Sequence, residues 1–410
     1  MKVAFVVQRF GEDIIGGAES HCYQVATHLQ KMLNWEVHVF TTTAFSYQTW
    51  SDYYPEGEEQ IHGLTVFRYK TRINRWPKFF GLYNRIFSPL LQYWGKYPHK
   101  IPRIFNPLLS LFEHLWFIFQ GPWSPKLIKE LVSKKDAYDH IFFFTYLYYP
   151  TVYGLSKIKD KCTLIPLAHQ EAPLYFPKVR KLLKTSTSLF TNSDVERSLL
   201  ISKKLSSEER IKTVGCGLDP IYFSKTQFPQ LAIPGLHKPY ITYLGRISKG
   251  KGVSKLIQYF LNYISLSKNE KLTLVLAGEN DGSVNISYHP QVKFIGFISQ
   301  SDKTSLIAHS ACVINPSPKE SLSLLALEAI ALGRPLLVNA KCDVLRYYSE
   351  QLNTVFAYSH VSEFNELLSR ILHLRKLPDF KLTLLESKKW AQERYSWEKI
   401  VSFYNDGVHR

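Results

Sequence analysis

Short, continuous apolar runs alternate along this chain with segments whose apolar positions recur every three to four residues. That alternation predicts strands buried on both faces with helices packed over them, an α/β architecture with parallel sheets. In the first half the runs predict strands at 3–7, 37–42, 65–67, 140–144, 163–167, 189–192 and 211–214, with helices over 17–32 and 194–203. The pattern weakens over 226–238 (TQFPQLAIPGLHK), which reads as a hinge. It restarts with strands at 240–244, 272–277, 292–295, 312–314 and 336–338 and a helix from about Val253. Two similar halves predict two domains, 1–225 and 239–395, with parallel sheets facing a central cleft, a favoured place for a ligand. A terminal segment, 396–410, follows.

One segment breaks the alternation. Between residues 70 and 123 stand Lys70, Arg72, Arg75, Lys78, Arg85, Lys96, Lys100 and Arg103 against a single acid, Glu113. Aromatic residues crowd the same stretch, among them Trp76, Phe79, Tyr83, Tyr93, Trp94 and Trp116. Two readings stand side by side. Basic groups mixed with interfacial aromatics suit a helix lying on an anionic membrane, and the same composition describes an inserted helical subdomain whose aromatics face inward.

At 410 residues the chain has material for two domains of ordinary size. Its net charge of +17 favours anionic partners. Nucleic acid is not among those expected, since no zinc-finger spacing, RNP-type aromatic run or KH-type loop occurs. The five cysteines, Cys22, Cys162, Cys216, Cys312 and Cys342, are scattered without a CxxC pair, so they read as reduced thiols, with no zinc site and no disulfide framework. No apolar stretch reaches the length of a membrane span, and the opening MKVAFVV runs straight into a strand without the regions of a signal peptide. The expected setting is cytoplasmic, with the 70–123 segment as the candidate for peripheral contact with the inner membrane face.

The richest chemistry lies at 313–339, VINPSPKESLSLLALEAIALGRPLLVN. An apolar run at 311–314 ends in a Pro-rich loop bearing Glu320. Leu324, Leu325, Leu327, Ile330 and Ala331 then keep helical spacing around a second acid, Glu328, until Gly333 and Pro335 stop the helix. At a rise of about 1.5 Å per residue the two carboxylates stand roughly 12 Å apart along the axis. That is about the distance from sugar to ribose in a bent sugar nucleotide. Backbone N–H groups at Ser323, Leu324 and Leu325 lie between them, where a helix N-terminus accepts a diphosphate. Spacing alone favours a plainer reading, a core helix with one surface Glu and one tolerated acid.

Three further motifs carry candidate chemistry. After the first strand, QRFGEDIIGGAESHCYQVATHL places Gly16 and Gly17 at a helix start. No G-x-G-x-x-G occurs there, and the next strand, VHVFTTT, ends in threonines in place of the acid that holds an NAD ribose, so a dinucleotide enzyme is not expected. In YITYLGRISKGKGVSKLI, Gly245, Gly250 and Lys251 satisfy G-x-x-x-x-G-K, but Gly252 follows where a P-loop needs Ser or Thr for magnesium. Arg246 and Lys251 are cations at a helix start, which the helix dipole disfavours unless an anion is bound. His169 follows the strand TLIPLA, at the end from which side chains of a parallel sheet reach a ligand.

These blocks together resemble family 4 glycosyltransferases of the GT-B fold, with two Rossmann-like domains. The E-x7-E spacing of Glu320 and Glu328, the G-R-hydrophobic-x-x-x-K-G run and the GGAE loop carry the likeness. AHQEAPLYF, NAKCDVLRYY and the chain end ERYSWEKIVSFY extend it over nearly the whole chain. The resemblance implies that Glu328 holds the ribose hydroxyls and Glu320 positions the donor sugar. Arg246 and Lys251 neutralise the diphosphate alongside the backbone of Ser323, Leu324 and Leu325. Gly16 and Gly17 approach the donor phosphates and the acceptor, and His169 contacts the donor sugar. It further implies a retaining transfer of a hexose from a UDP- or GDP-sugar to a glycan or lipid-linked acceptor of a bacterial surface polysaccharide, with no cofactor and no metal. The last helix is expected to cross back to the first domain. Departures are Gln170 in place of the family's Asp, and Ser321 and Ser323 in place of glycines, which predict an altered sugar preference. The competing readings are a P-loop ATP-binding enzyme and an inactive scaffold that binds a glycan or a partner.

Overall fold

The computed structural model describes residues 1–14, 16–158, 160–224, 228–229, 233, 239–268, 271–286 and 289–408. The stretch expected as a hinge, 226–238, lies largely outside them. The chain divides into two compact units: Met1–Gly217 with Ile400–Arg410, and Leu218–Lys399.

The first unit is built on an eight-stranded sheet. Its strands are β1 (Lys2–Val6), β2 (Glu36–Thr42), β3 (Gly57–Ile61), β4 (Leu64–Tyr69), β5 (His140–Phe144), β6 (Cys162–Ile165), β7 (Ser188–Thr191) and β8 (Ile211–Thr213). They lie in the order β3-β4-β2-β1-β5-β6-β7-β8. All pairs are parallel except β3 with β4. Central strands such as HIFFF are buried throughout, as the continuous apolar runs predicted. The edge strand β3 reads GEEQI and is mostly exposed, its carboxylates guarding an edge that would otherwise invite pairing.

The helices of this unit are α1 (Gly17–Leu33), α2 (Pro77–Lys96), α3 (Asn106–Gln120), α4 (Pro125–Lys134), α5 (Tyr149–Leu155), α6 (Pro177–Thr185) and α7 (Asp194–Ser202). The segment that broke the sequence pattern is therefore chiefly the pair α2 and α3. Tyr83, Leu91, Trp94, Leu109, Trp116 and Phe117 turn inward and join the main core. Trp116 Nε1 donates to Asn84 Oδ1 at 2.9 Å, satisfying a polar group that burial would otherwise strand. Gly95 sits so close to the carbonyl of Tyr175 that a Cβ there would collide with it, which lets α2 press onto the turn Ala172–Tyr175.

The second unit holds a six-stranded parallel sheet in the order β11-β10-β9-β12-β13-β14. Its strands are β9 (Tyr240–Leu244), β10 (Thr273–Ala277), β11 (Val292–Phe294), β12 (Cys312–Asn315), β13 (Leu336–Asn339) and β14 (Val355–Tyr358). The helices are α8 (Val253–Ser267), α9 (Gln300–His309), α10 (Leu324–Ala331), α11 (Asp343–Gln351), α12 (Val361–Leu374) and α13 (Pro378–Tyr395). The last helix, α14 (Trp397–Val408), continues from α13, and its residues from Ile400 belong to the first unit. There Tyr404 packs its ring 5.3 Å from both Phe142 and Phe190. No disulfide joins the five cysteines, all of which are buried.

Candidate functional site

In the second unit the site residues gather where strands β9 and β12 end. The chain leaving β12 is held from three sides. Asn315 Oδ1 accepts Ser317 N–H at 3.0 Å, Asn339 Nδ2 donates to the Pro316 carbonyl at 3.0 Å, and Tyr348 of α11 donates to the Leu322 carbonyl at 2.8 Å. This fixed loop carries Glu320. It ends at Ser323, which takes a left-handed backbone, φ 63°, that a residue with a Cβ adopts only at a cost. The Ser323 hydroxyl offsets part of that cost. It accepts Asn315 Nδ2–H at 2.7 Å and caps Ala326 N–H at 3.3 Å. The amides of Leu324 and Leu325 head the helix and donate to no acceptor among the described residues. They are therefore the donors an anion would find at the α10 N-terminus.

Both acids of the spacing motif are paired with lysine. Lys251 Nζ lies 2.6 Å from Glu320 Oε1, and Lys303 Nζ lies 2.6 Å from Glu328 Oε1. Glu328 is 5% exposed, and the same Oε1 also accepts from Tyr222 OH at 3.2 Å. Gln300 Nε2 in turn donates to Tyr222 OH at 2.6 Å. A buried carboxylate at this depth needs such partners. Arg246 lies near the first pair through Tyr243. Burial pushes the Tyr243 phenol up, Glu320 pushes it further and Arg246 pulls it back, so both charges reach one hydroxyl. Tyr243 OH donates to the Arg246 carbonyl at 3.0 Å. The 12 Å axial estimate needs correcting. The helix begins at Leu324, so helical rise applies only from there to Glu328, about 6 Å.

The turn into α8 decides the P-loop question. Gly252 caps the helix at φ 78°, and a Cβ on it would run into the Pro316 carbonyl. The backbone leaves no room for the Ser or Thr that holds magnesium in a P-loop. The P-loop reading fails here on sterics.

The first unit places its candidates at two loops. His169 Nε2 lies 3.3 Å from Glu171 Oε2, and Tyr146 OH donates to Glu171 Oε1 at 2.6 Å. Behind them the fully buried Glu196 fixes the chain on either side of this loop. Its carboxylate accepts Ala168 N–H, and Asn192 N–H at 2.7 Å. Burial pushes its pKa up to about 8, against the pull of those two amides and of His169. Gly17 opens α1 with nothing within 4 Å of where its Cβ would be, so its surface is open to a ligand. Gly16 is different. A Cβ there would fall on the Glu19 carboxylate, which is locked to the buried Arg9 at 2.6 Å.

Sequence reasoning missed Lys303, Tyr222, Gln300, Tyr146, Arg9 and Glu196. Only Glu196 had a local signal, the S-x-x-E pattern of a helix start running from Ser193, whose hydroxyl does cap the Glu196 amide at 3.2 Å.

Residues 224–380 match the family described as glycosyl transferases group 1. The second unit is a group 1 glycosyltransferase domain. Among curated relatives, the capsular polysaccharide biosynthesis glycosyltransferase CapM of Staphylococcus aureus is 23% identical over 239 residues, covering 54% of this chain and 62% of CapM. The chain spans between 39% and 62% of the length of the curated relatives it matches. Solved structures extend the likeness beyond the glycosyltransferase domain. Sucrose-phosphate synthase from Thermosynechococcus elongatus aligns over 99% of this chain and 97% of its own, with TM-score 0.67 and 15% identity. HepE from Anabaena, in complex with UDP and glucose, aligns over 100% of this chain and 99% of its own, with TM-score 0.62 and 14% identity. At these identities the likeness shows the fold, and that fold is GT-B.

Proposed function

We propose that this chain is a retaining, metal-independent hexosyltransferase that uses a UDP- or GDP-sugar and a glycan or lipid-linked acceptor. The observation that carries the reading is the pairing of Lys251 with Glu320 at 2.6 Å, on the loop that leads to the amides of Leu324 and Leu325, which have no acceptor among the described residues. A carboxylate and helix N-terminal donors on a fixed loop, with a cation from the turn before α8 beside them, suit a sugar diphosphate, whose phosphates take the donors while a sugar hydroxyl takes the acid. That the structure of HepE contains UDP and glucose favours uridine as the base. CapM, by its name a capsular polysaccharide enzyme, favours a surface glycan as the product.

In the proposed reaction an acceptor hydroxyl oxygen bonds to the anomeric carbon as that carbon's bond to the diphosphate oxygen breaks. The acceptor proton passes to the departing diphosphate, which acts as the base, and the new bond forms on the same face. Lys251 and Arg246 stabilise the charge that grows on the leaving group, the task a metal ion performs elsewhere. Glu328 takes the ribose hydroxyls in exchange for Lys303 and Tyr222, and Glu320 holds the sugar. The test is to incubate the chain in EDTA with UDP- or GDP-hexoses and glycan or lipid-linked acceptors, and to read the anomeric configuration of the product by NMR. An α-linked product from an α-linked donor supports the reading. An inverted product, or turnover only with added metal, contradicts it.

A further inference from the structure

Helix α2 is apolar over two neighbouring faces, one buried in the fold and the other largely exposed. Phe79, Leu82, Ile86, Leu90, Tyr93 and Tyr97 recur at helical spacing and are exposed, Leu82 and Ile86 each at 56%. The stripe runs the length of a helix of 20 residues, about 30 Å. The chain beyond it also exposes Ile104, at 82%, and Phe105, Leu108 and Leu111. Exposed apolar surface on this scale marks an interaction site.

The exposed charge within this segment has one sign. Lys78, Arg85, Lys96, Lys100 and Arg103 are exposed in the same segment. Its one acid, Glu113, is buried, where it accepts Lys178 N–H at 2.6 Å at the start of α6. Arg75 is occupied within the fold, donating to the Gln48 carbonyl at 2.8 Å, so it does not contribute to this surface. A cavity of about 370 Å³ opens between the start of α2 and the end of α3, lined by Trp76, Phe79, Ile118 and Phe119 with Arg72. Trp76 and Phe79 belong to both the cavity and the exposed surface.

We infer that the outward face of α2, with the chain leading into α3, docks on an anionic lipid bilayer. Cations without a compensating exposed acid draw the face toward negative headgroups, and the apolar stripe then enters the headgroup–acyl boundary. Nucleic acid is the poorer fit, because the centre of the surface is Leu and Ile where phosphates need donors. No helix among the described residues is long and apolar enough to cross a membrane, so the contact is with its surface. The buried face of the same helix presses through Gly95 onto the turn that follows His169, so docking and the His169 loop share one element.

The test is flotation of the purified chain with vesicles of phosphatidylcholine alone and of equal parts phosphatidylcholine and phosphatidylglycerol, over a salt series. The chain is expected to float with the anionic vesicles, to be released by salt, and not to float with phosphatidylcholine alone. Leu82→Glu with Ile86→Glu, and separately Lys78→Glu with Arg85→Glu, are expected to weaken flotation at least about tenfold with unchanged melting temperature, since all four side chains are exposed. Equal flotation with both vesicle types, no flotation, or variants that float like the wild type would overturn the inference. So would loss of a dimer in the apolar variant without loss of lipid binding, which would make the face a contact between copies. No arm depends on sugar transfer, so this test and that of the proposed function fail independently.

Discussion

Lys251 and Glu320, 69 residues apart in sequence, meet at 2.6 Å with side chains 35% and 19% exposed. The pair brings the turn before α8 and the loop before α10 to one point. At that exposure a lysine–carboxylate pair adds at most about 1 kcal/mol to stability. Its value is local: the Glu320 carboxylate holds a cation near helix N-terminal amides, a place the helix dipole would otherwise disfavour until an anion is bound.

Replacing Lys251 with Met is therefore expected to leave folding almost intact while weakening nucleotide binding. Loss of a charge-assisted contact of about 1.5–3 kcal/mol corresponds to about ten- to a hundredfold in affinity. Calorimetric titration with UDP and GDP, alongside a melting curve, separates the two effects. A large loss of stability with unchanged affinity would make Lys251 structural.

Ser323 offers a test of how strain and bonding balance. Glycine there removes the left-handed strain, about 1–2 kcal/mol, but forfeits the helix cap and strands the Asn315 amide, which is only 3% exposed. Ser323→Gly is expected to be destabilising by about 1 kcal/mol or less. Ser323→Ala keeps the strain and loses both bonds, so it should fall below the glycine variant by about 1 kcal/mol or more. Urea midpoints of the two variants give the order directly, and an alanine variant at least as stable as the glycine one would refute it.

Gly252→Ser, which completes the P-loop pattern, is expected to cost more than about 2 kcal/mol, because it adds a Cβ at a positive φ against the Pro316 carbonyl. It should gain no magnesium-dependent ATP binding. Stable folding together with new ATP binding would overturn the steric argument.

Buried titrating groups set a pH dependence with a definite sign. Burial raises Glu196 from 4.5 to about 8 and Glu113 from 4.5 to about 7, each opposed by its amide donors. The native state thus holds protons the unfolded chain has lost, and stability falls as pH rises through these values. Burial lowers His21 and His140 from 6.5 to about 4, so their contribution is lost as pH falls from 6.5 toward 4. The two slopes oppose each other below pH 6.5, and above it the acids act alone. Urea midpoints should decline from pH 6.5 to 8. Glu113→Gln, whose amide oxygen can still accept Lys178 N–H, should flatten that decline. A midpoint rising over this range would contradict the assignment.

The sheets were legible in the sequence because parallel strands buried on both faces leave continuous apolar runs, as at VAFV in β1 and TLVLA in β10. Elements without that signature were not. Strand β3 is polar because it is an edge, and α9 buries Thr304 to Ala308 without a break, which erases helical periodicity. The 70–123 segment stood out by charge, yet α2 is apolar on two faces, so its sequence told the packed reading from the exposed one at neither face. At the candidate site, Glu320, Glu328, Arg246 and Lys251 were singled out by the resemblance of their motifs to a family, because their spacing alone also suited an ordinary core helix and a solvated helix start. Lys303 and Tyr222 were not, since what brings them to Glu328 is the fold of the second unit.

The central claim is that Glu328 and its surroundings hold the nucleoside of a sugar diphosphate. The most direct measurement is a thermal-shift panel with UDP, GDP, ADP and ATP, each in EDTA and in magnesium, on the wild type and on Glu328→Gln. A ligand at about 100 times its dissociation constant adds about 2.7 kcal/mol to the folded state, enough to read. UDP or GDP should stabilise the wild type in EDTA, and the Glu328→Gln chain should fold but respond much less. A response to ATP alone and only with magnesium, or equal responses from wild type and variant, would contradict it.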